Sequence, residues 1–392
     1  MELCIRVMKR ALMYEQTKDL LGKNFIVSPL SCTILLSMVA SGLKGEALEQ
    51  MMFFFRLRMG LRSIADLISE SDRLMAMVSL DSTKGLLPLS SANGAWVDMK
   101  YKLKPSFQQV LKTTYRADSM ALDFANELEE AVAEINTWVE KATNGNIKDS
   151  VSKQFLLKDT VLILANALYF KRTRKRSRSL LPSRTIILNF YTLDGKTVKV
   201  PFLTHSFLYF PYGYSQGCKI LKLPYYVGNQ KGVKLFSMYI FLPDEKDGLH
   251  DLIKQLSSDS TLLNLRFEFK YVKMEEIMIP KFKFKYSTEV SDIMEQMGLR
   301  LNMNKDAEMV EGVPDPSTAI IDDMKVCHSC CIEVDENRTD PVDLIDRVFG
   351  GGGHGNFPHS KFIADHPFMF MIREDTSETP IFVGAVVNPL LR

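Results

Sequence analysis

The stretch TVLILANALYF, residues 160–170, constrains this chain more than any other. A strand with one face in water alternates apolar and polar residues, and this run hardly alternates. It suits a central strand covered on both faces, and therefore a sheet with packed layers above and below it. A chain of 392 residues that is 46% hydrophobic has the apolar material to build those layers.

The segments before the run read as helices. The apolar run SCTILLSMVASGLKG follows Ser28-Pro29 and reaches a stop at Gly42, and ELEEAVAEINTWVEKATNG places Leu128, Val132, Ile135 and Val139 at helical spacing before Asn144-Gly145. The segments after it read mainly as strands: KILKLPYY, VKLFSMYIFLP and EEIMIPKFKFKY, the last taken as one strand alternating Lys with Phe. TEVSDIMEQMGL interrupts them as a helix, and HPFMFMIREDTSETPIFVGAVVNP reads as a hairpin turning at DTSETP. Helices early and strands late, with no repeat and no Pro/Ser linker, make an α+β chain of one domain over 1–392.

Lys+Arg 49 against Asp+Glu 47 leaves a net charge of +2, so no overall field selects nucleic acid or membrane as a partner. No segment approaches the ~20 apolar residues of a membrane span. The N-terminal MELCIRVMKRALMYEQTKDLLGKN is broken by Glu2, Arg6, Lys9 and Arg10. It suits an amphipathic helix and lacks the core of a signal peptide. An intracellular protein is expected, with export by a route that needs no signal as the alternative. The cysteines at 4, 32, 218, 327, 330 and 331 do not form the pattern of a secreted disulfide framework. Cys327, His328, Cys330 and Cys331 crowd one strand, where neighbours face opposite ways, so no metal is expected there, and no cofactor elsewhere.

Several segments together resemble the serpin family, and its plant branch most closely: NFIVSPLSCTILLSMVASGLKG (24–45), LSSANGAWVD (89–98), INTWVEKATNGNIKD (135–149), ILANALYFK (163–171), MIPKFKFKY (278–286), CHSCCIEVDENRTD (327–340), FIADHPFMFMIRE (362–374) and IFVGAVVNP (381–389). Their order covers about the whole chain. The resemblance implies an α+β serpin fold with three β-sheets, about eight to nine α-helices and an exposed reactive-centre loop over about 336–361. It implies a protease inhibitor rather than an enzyme, monomeric, whose loop is cut by a protease and then inserts into the main sheet as a new central strand, dragging the acylated protease with it. It also implies a polar shutter beneath that sheet, matched here by Ser28, Ser31, Asn166 and His328. A Ser/His hydrolase reading of the same residues lacks a G-x-S-x-G elbow.

The loop departs from what insertion requires. Glu336, Asn337, Arg338, Thr339, Asp340, Pro341 and Asp343 align with the family's hinge, with Thr339 entering first. Alternation then puts Thr339, Pro341, Asp343, Ile345 and Arg347 on the inward face. Pro341 has no N–H to give a central strand. Asp343 and Arg347 bring charges beneath the sheet, and Arg338 replaces a glycine where the loop must bend. By family counting the scissile bond falls at Gly352-Gly353, within four consecutive glycines that offer a protease no side chain; cutting at Arg347 or Phe349 is substrate behaviour. No phosphate-loop motif accompanies the glycines. Asn337-Arg338-Thr339 is a formal glycosylation sequon, expected unused without a signal peptide.

The family's sheet-top tryptophan is Arg174 here, in the breach where the loop enters, within a segment holding six Lys/Arg among residues 171–178. A solvated loop, nuclear import, and polyanion or nucleic-acid binding are the alternatives for that segment; no aromatic residues interleave with its charges. The expectation is thus a serpin that does not trap proteases, meeting serine or cysteine proteases only as a substrate meets them. A working suicide inhibitor is the alternative, and a polyanion or nucleic-acid binder acting through 171–178 the alternative of another class.

Overall fold

The computed structural model describes residues 2–17, 22–59, 63–78, 89–153, 155–156, 160–170, 184–206, 208–225, 235–258, 269–296, 309–311, 324–335 and 360–392. The run that most constrains the chain is strand β5 (Leu162–Phe170), and every residue of it is buried. It lies at the centre of a five-stranded sheet. Strand β2 (Leu89–Asp98) pairs with it antiparallel on one side and β14 (Met324–Val334) parallel on the other. The sheet is completed by β4 (Ala117–Leu122) beside β2 and β12 (Phe282–Glu289) beside β14.

The two faces of this sheet are covered by different layers. Leu162, Leu164, Leu168 and Phe170 point into the main core. There they meet helix α2 (Pro29–Ser41), whose residues Pro29 to Ala40 are all buried, as its all-round apolar sequence requires. Ser28 caps the helix, accepting the Ser31 N–H at 3.1 Å, and Pro29 occupies the first turn, where its missing N–H costs nothing. Gly42 ends it beside Met309, leaving no room for a Cβ. On the opposite face, Ile163 and Ala165 pack under helix α6 (Leu128–Ala142), against Ile135, Ala131 and Trp96. The segment after α6 continues this cover: Asn136 exchanges hydrogen bonds with the Val151 backbone, Ser150 bonds Ser329 on β14, and Lys285 on β12 donates to Lys148 O at 2.7 Å.

A ten-stranded sheet runs β1-β17-β16-β10-β9-β8-β11-β7-β6, with β15 added to β11. Its strands are β1 (Phe25–Val27), β6 (Arg184–Tyr191), β7 (Thr197–His205), β8 (Leu208–Ser215), β9 (Cys218–Tyr225), β10 (Phe236–Pro243), β11 (Lys270–Pro280), β15 (Ser360–Ile363), β16 (Phe368–Glu374) and β17 (Pro380–Val386). A two-stranded ribbon pairs β3 (Lys102–Leu103) with β13 (Val310–Glu311). The remaining described helices are α1 (Glu2–Thr17), α3 (Gly45–Met59), α4 (Ile64–Val78), α5 (Pro105–Thr113), α7 (Leu249–Ser258) and α8 (Val290–Gln296). The expected mixed architecture of three sheets is therefore present.

One expectation is corrected. EEIMIPKFKFKY is not one strand: it breaks at Pro280-Lys281, so β11 and β12 belong to different sheets. Pro280 has no N–H for a ladder, and the Lys281 N–H turns to Pro201 O at 2.8 Å. The Lys/Phe alternation holds only for β12, where Phe282 and Phe284 are buried and Lys283 and Lys285 are not. The C-terminal hairpin is as expected, closed by Glu374 N–H to Thr379 O with Glu378 at φ 59°.

Candidate functional site: a polar row across the β5–β14 seam

Strands β5 and β14 meet in parallel register from Met324↔Leu162 to Ile332↔Phe170. Across this seam the five-stranded sheet carries one polar row. Asn93 on β2 stands opposite Asn166 on β5, Asn166 opposite His328 on β14, and His328 opposite Thr288 on β12. All four are buried. Buried polar groups need partners: two of this row's bonds run within it, Asn93–Asn166 and Asn166–His328, and the others leave it for Ser28, Met75, Ser91, Tyr115 and Cys330.

The bonds fix the histidine's state. The Ser28 backbone N–H donates to His328 Nε2 at 3.1 Å, so that nitrogen is the acceptor. Nδ1 therefore carries the proton and donates to Asn166 Oδ1 at 3.1 Å. The Cys330 thiol also points at Nε2, at 2.6 Å, and burial holds it protonated well above its ordinary range. Burial pushes the His328 ring down to about 3. A second proton would displace the Ser28 bond and place a charge beneath the sheet. The Asn166 amide donates to Asn93 Oδ1 at 2.7 Å and Ser91 Oγ at 3.3 Å, and Asn93 donates to Tyr115 O at 2.7 Å.

Of the residues singled out in the sequence, Ser28, Asn166 and His328 come together in one network. Ser31 joins only through its backbone N–H. Its hydroxyl oxygen, like that of Thr288, is buried without a hydrogen-bond partner among the described residues. The arrangement is not that of a hydrolase: the Ser28 hydroxyl caps α2, while the basic nitrogen of His328 faces the Ser28 backbone and Cys330. Asn93 and Thr288 carry no signal in the sequence, where each lies beside other polar residues, and Cys330 stands out there only as one of four candidate metal ligands; strand register is what brings all three to His328 and Asn166. Cys327 and Cys331 lie on the α6 side of β14 and Cys330 on the core side. Among the described residues no three His, Cys, Asp or Glu form a group able to hold a metal. All six cysteines are buried free thiols.

Strand β14 ends at Val334, and the next described strand, β15, pairs parallel with β11. Residues 336–359 connect the two. Glu336, Asn337, Arg338, Thr339, Asp340, Pro341, Asp343, Gly352 and Gly353 thus lie outside the described residues, as do Arg174 and the whole basic segment 171–178. Among the described residues no helix is long and apolar enough to cross a membrane.

The profile of the family described as Serpin (serine protease inhibitor) matches residues 5–389. Serpin-ZX of Arabidopsis thaliana is 35% identical over 374 residues, covering 94% of this chain and 93% of the relative. Serpin-Z2A of wheat, Triticum aestivum, is 34% identical over 372 residues, covering 94% and 91%. The solved structure of Arabidopsis AtSerpin1, described as its native stressed conformation, superposes with a TM-score of 0.84 at 32% identity, covering 99% of this chain and 98% of that one. Sequence and fold agree over nearly the whole length, and the chain belongs to the serpin family of protease inhibitors.

Proposed function

We propose that this serpin does not trap proteases and is instead cleaved in its loop and released. One observation carries the reading: β5 and β14 are paired directly, and their seam is buried on both faces, by the α2 core on one side and α6 on the other. A loop strand entering between them would have both of its faces covered. Neither alternation of the hinge sequence then leaves Asp343 or Arg347 in water, and each uncompensated charge costs several kcal/mol. Pro341 would interrupt one of the two ladders that the new strand must complete, removing one of its hydrogen bonds. Arg338 adds stiffness at the bend, and Gly352-Gly353 offers no bait.

The same reading makes Ser28, Ser31, Asn166 and His328 the shutter. Entry of a strand between β5 and β14 must separate Asn166 from His328, and their bond is the one place where the polar row crosses the seam. A working suicide inhibitor is the competing reading, favoured by the likeness to a serpin solved in its native stressed conformation. Incubation with trypsin-, chymotrypsin- and papain-like proteases decides between them on denaturing gels. The expected product is serpin cleaved between 336 and 359 with the protease fully active. A covalent complex that survives boiling in detergent at useful stoichiometry refutes the proposal.

A further inference from the structure

Helix α2 lies beneath the polar row and is tied to it at both ends. At its start, the Ser28 N–H bonds His328 on β14. At its last residue, Ser41 Oγ and the Tyr115 hydroxyl are 2.8 Å apart. Tyr115 stands two residues before β4, and its carbonyl accepts from Asn93 on β2. Thirteen residues at about 1.5 Å each make α2 about 20 Å long, and the three spacings from β14 to β4 come to about 14 Å. The helix is thus long enough to pass beneath β14, β5 and β2.

The links close a ring: His328, Asn166, Asn93, Tyr115, Ser41, and back through α2 to Ser28. Such a ring cannot be opened at one bond. Parting β5 from β14 to admit a strand widens the seam by about 4.8 Å, and a hydrogen bond stretches by less than about 1 Å before it is lost. When Asn166 leaves His328, α2 still joins the two halves, so a second link must yield. The two ends of α2 differ in what release costs. Its start continues directly from β1, which pairs with β17 and packs against β12 and β14, so this end stays with β14. Breaking the Ser28–His328 bond would also take the imidazole acceptor from a buried N–H. The other end loses less. Ser41 is half-buried and donates to Ser37 O at 2.8 Å, and Ser71, which donates to Leu67 O at 2.7 Å, stands 3.5 Å from the Tyr115 hydroxyl as a second acceptor. Burial pushes that hydroxyl up to about 12, so it keeps the one proton it has to give, and the nearer acceptor is Ser41.

We propose that the Ser41–Tyr115 hydroxyl pair, at the far end of α2, is a second latch on the β5–β14 seam, which must release before β5, β2 and β4 can move off β14. The proposal rests on the reading of the polar row as the shutter. It adds two positioning residues that belong to neither strand of the seam. The latch governs opening whether or not a strand then enters.

The test measures seam opening directly, by native-state hydrogen exchange of the full chain read by mass spectrometry, without a protease. In Ser41→Ala, exchange in β5 and β14 should speed up at least about fivefold, the contribution of one ordinary hydrogen bond, while β10 and β16 of the other sheet keep the wild-type rate. Tyr115→Phe should do the same. The double variant should exchange no faster than either single one, because both lose the same bond. Ser41→Thr, which retains a hydroxyl, should keep the wild-type rate. The proposal fails if either single variant leaves exchange in β5 and β14 unchanged, or if β10 and β16 speed up equally, since the loss is then one of general stability. It fails equally if the two effects multiply in the double variant, or if Ser41→Thr exchanges as fast as Ser41→Ala. Failure here leaves the expected cleavage without trapping untouched, because that reading is decided by the protease incubations.

Discussion

Acidification should weaken this fold through one imidazole, and the structure sets the size of the effect. His328 is buried with its acceptor nitrogen taken by the Ser28 N–H, and burial lowers the ring from 6.5 to about 3. Between those values the unfolded chain holds a proton that the folded chain refuses. The contribution is therefore whole above about pH 6.5 and is lost as the pH falls towards 3, at about 1.4 kcal/mol per pH unit. At pH 4.5 the loss is about 3 kcal/mol, a large share of the stability of an ordinary domain. Carboxylates elsewhere also titrate in this range, so the measurement is a difference. Denaturant unfolding at pH 7.5 and 4.5 is compared between the wild type and His328→Gln, which cannot titrate at that position. The variant should start less stable, having lost part of the polar row, but its curve should be flatter by about 3 kcal/mol over the interval. Parallel curves would show that His328 titrates alike in the folded and unfolded chains, and the reading of a neutral ring locked between Ser28 and Asn166 would be wrong.

Clean cleavage within 336–359 should raise the unfolding temperature little. Combining Arg338→Gly, Pro341→Ala, Asp343→Ala and Arg347→Ala should turn that into a large rise, because the inserted strand regains an N–H and loses two buried charges. If the fourfold variant still gains nothing on cleavage, burial at the hinge is not the obstacle, and adding Arg174→Trp tests the point of entry instead. Gly384→Ala should destabilise by about 2–3 kcal/mol in thermal unfolding. Its Cβ would stand 2.4 Å from Phe25 O and 2.8 Å from the Phe370 ring, with backbone on one side that cannot yield; an unchanged midpoint would mean that β1 and β17 separate at little cost and would refute the argument from close approach.

Local sequence determined those features whose cause is local. The unbroken apolar run of β5 required cover on both faces, and it has α2 below and α6 above. The all-round apolar α2 had to be interior, with Ser28, Pro29 and Gly42 marking its ends. The chemistry of the loop is equally local: Pro341 lacks an N–H and Asp343 and Arg347 carry charge in any fold. Tertiary structure alone decided what each of these meets. The alternation of EEIMIPKFKFKY ran on through Pro280-Lys281, and only the competition between two sheets for its halves showed the break. His328 and Asn166 are 162 residues apart, and nothing in either neighbourhood names the other. Asn93 and Thr288 carried no signal at all until strand register set them in line. The place of β6 at the end of its sheet among the described strands belongs to the same class, since a strand becomes an edge only by its position in the sheet. Periodicity records which side chains must leave water, a property of each residue and its near neighbours. The partner that receives them is chosen by register and packing between distant segments, and that choice is made only when the whole chain closes on itself.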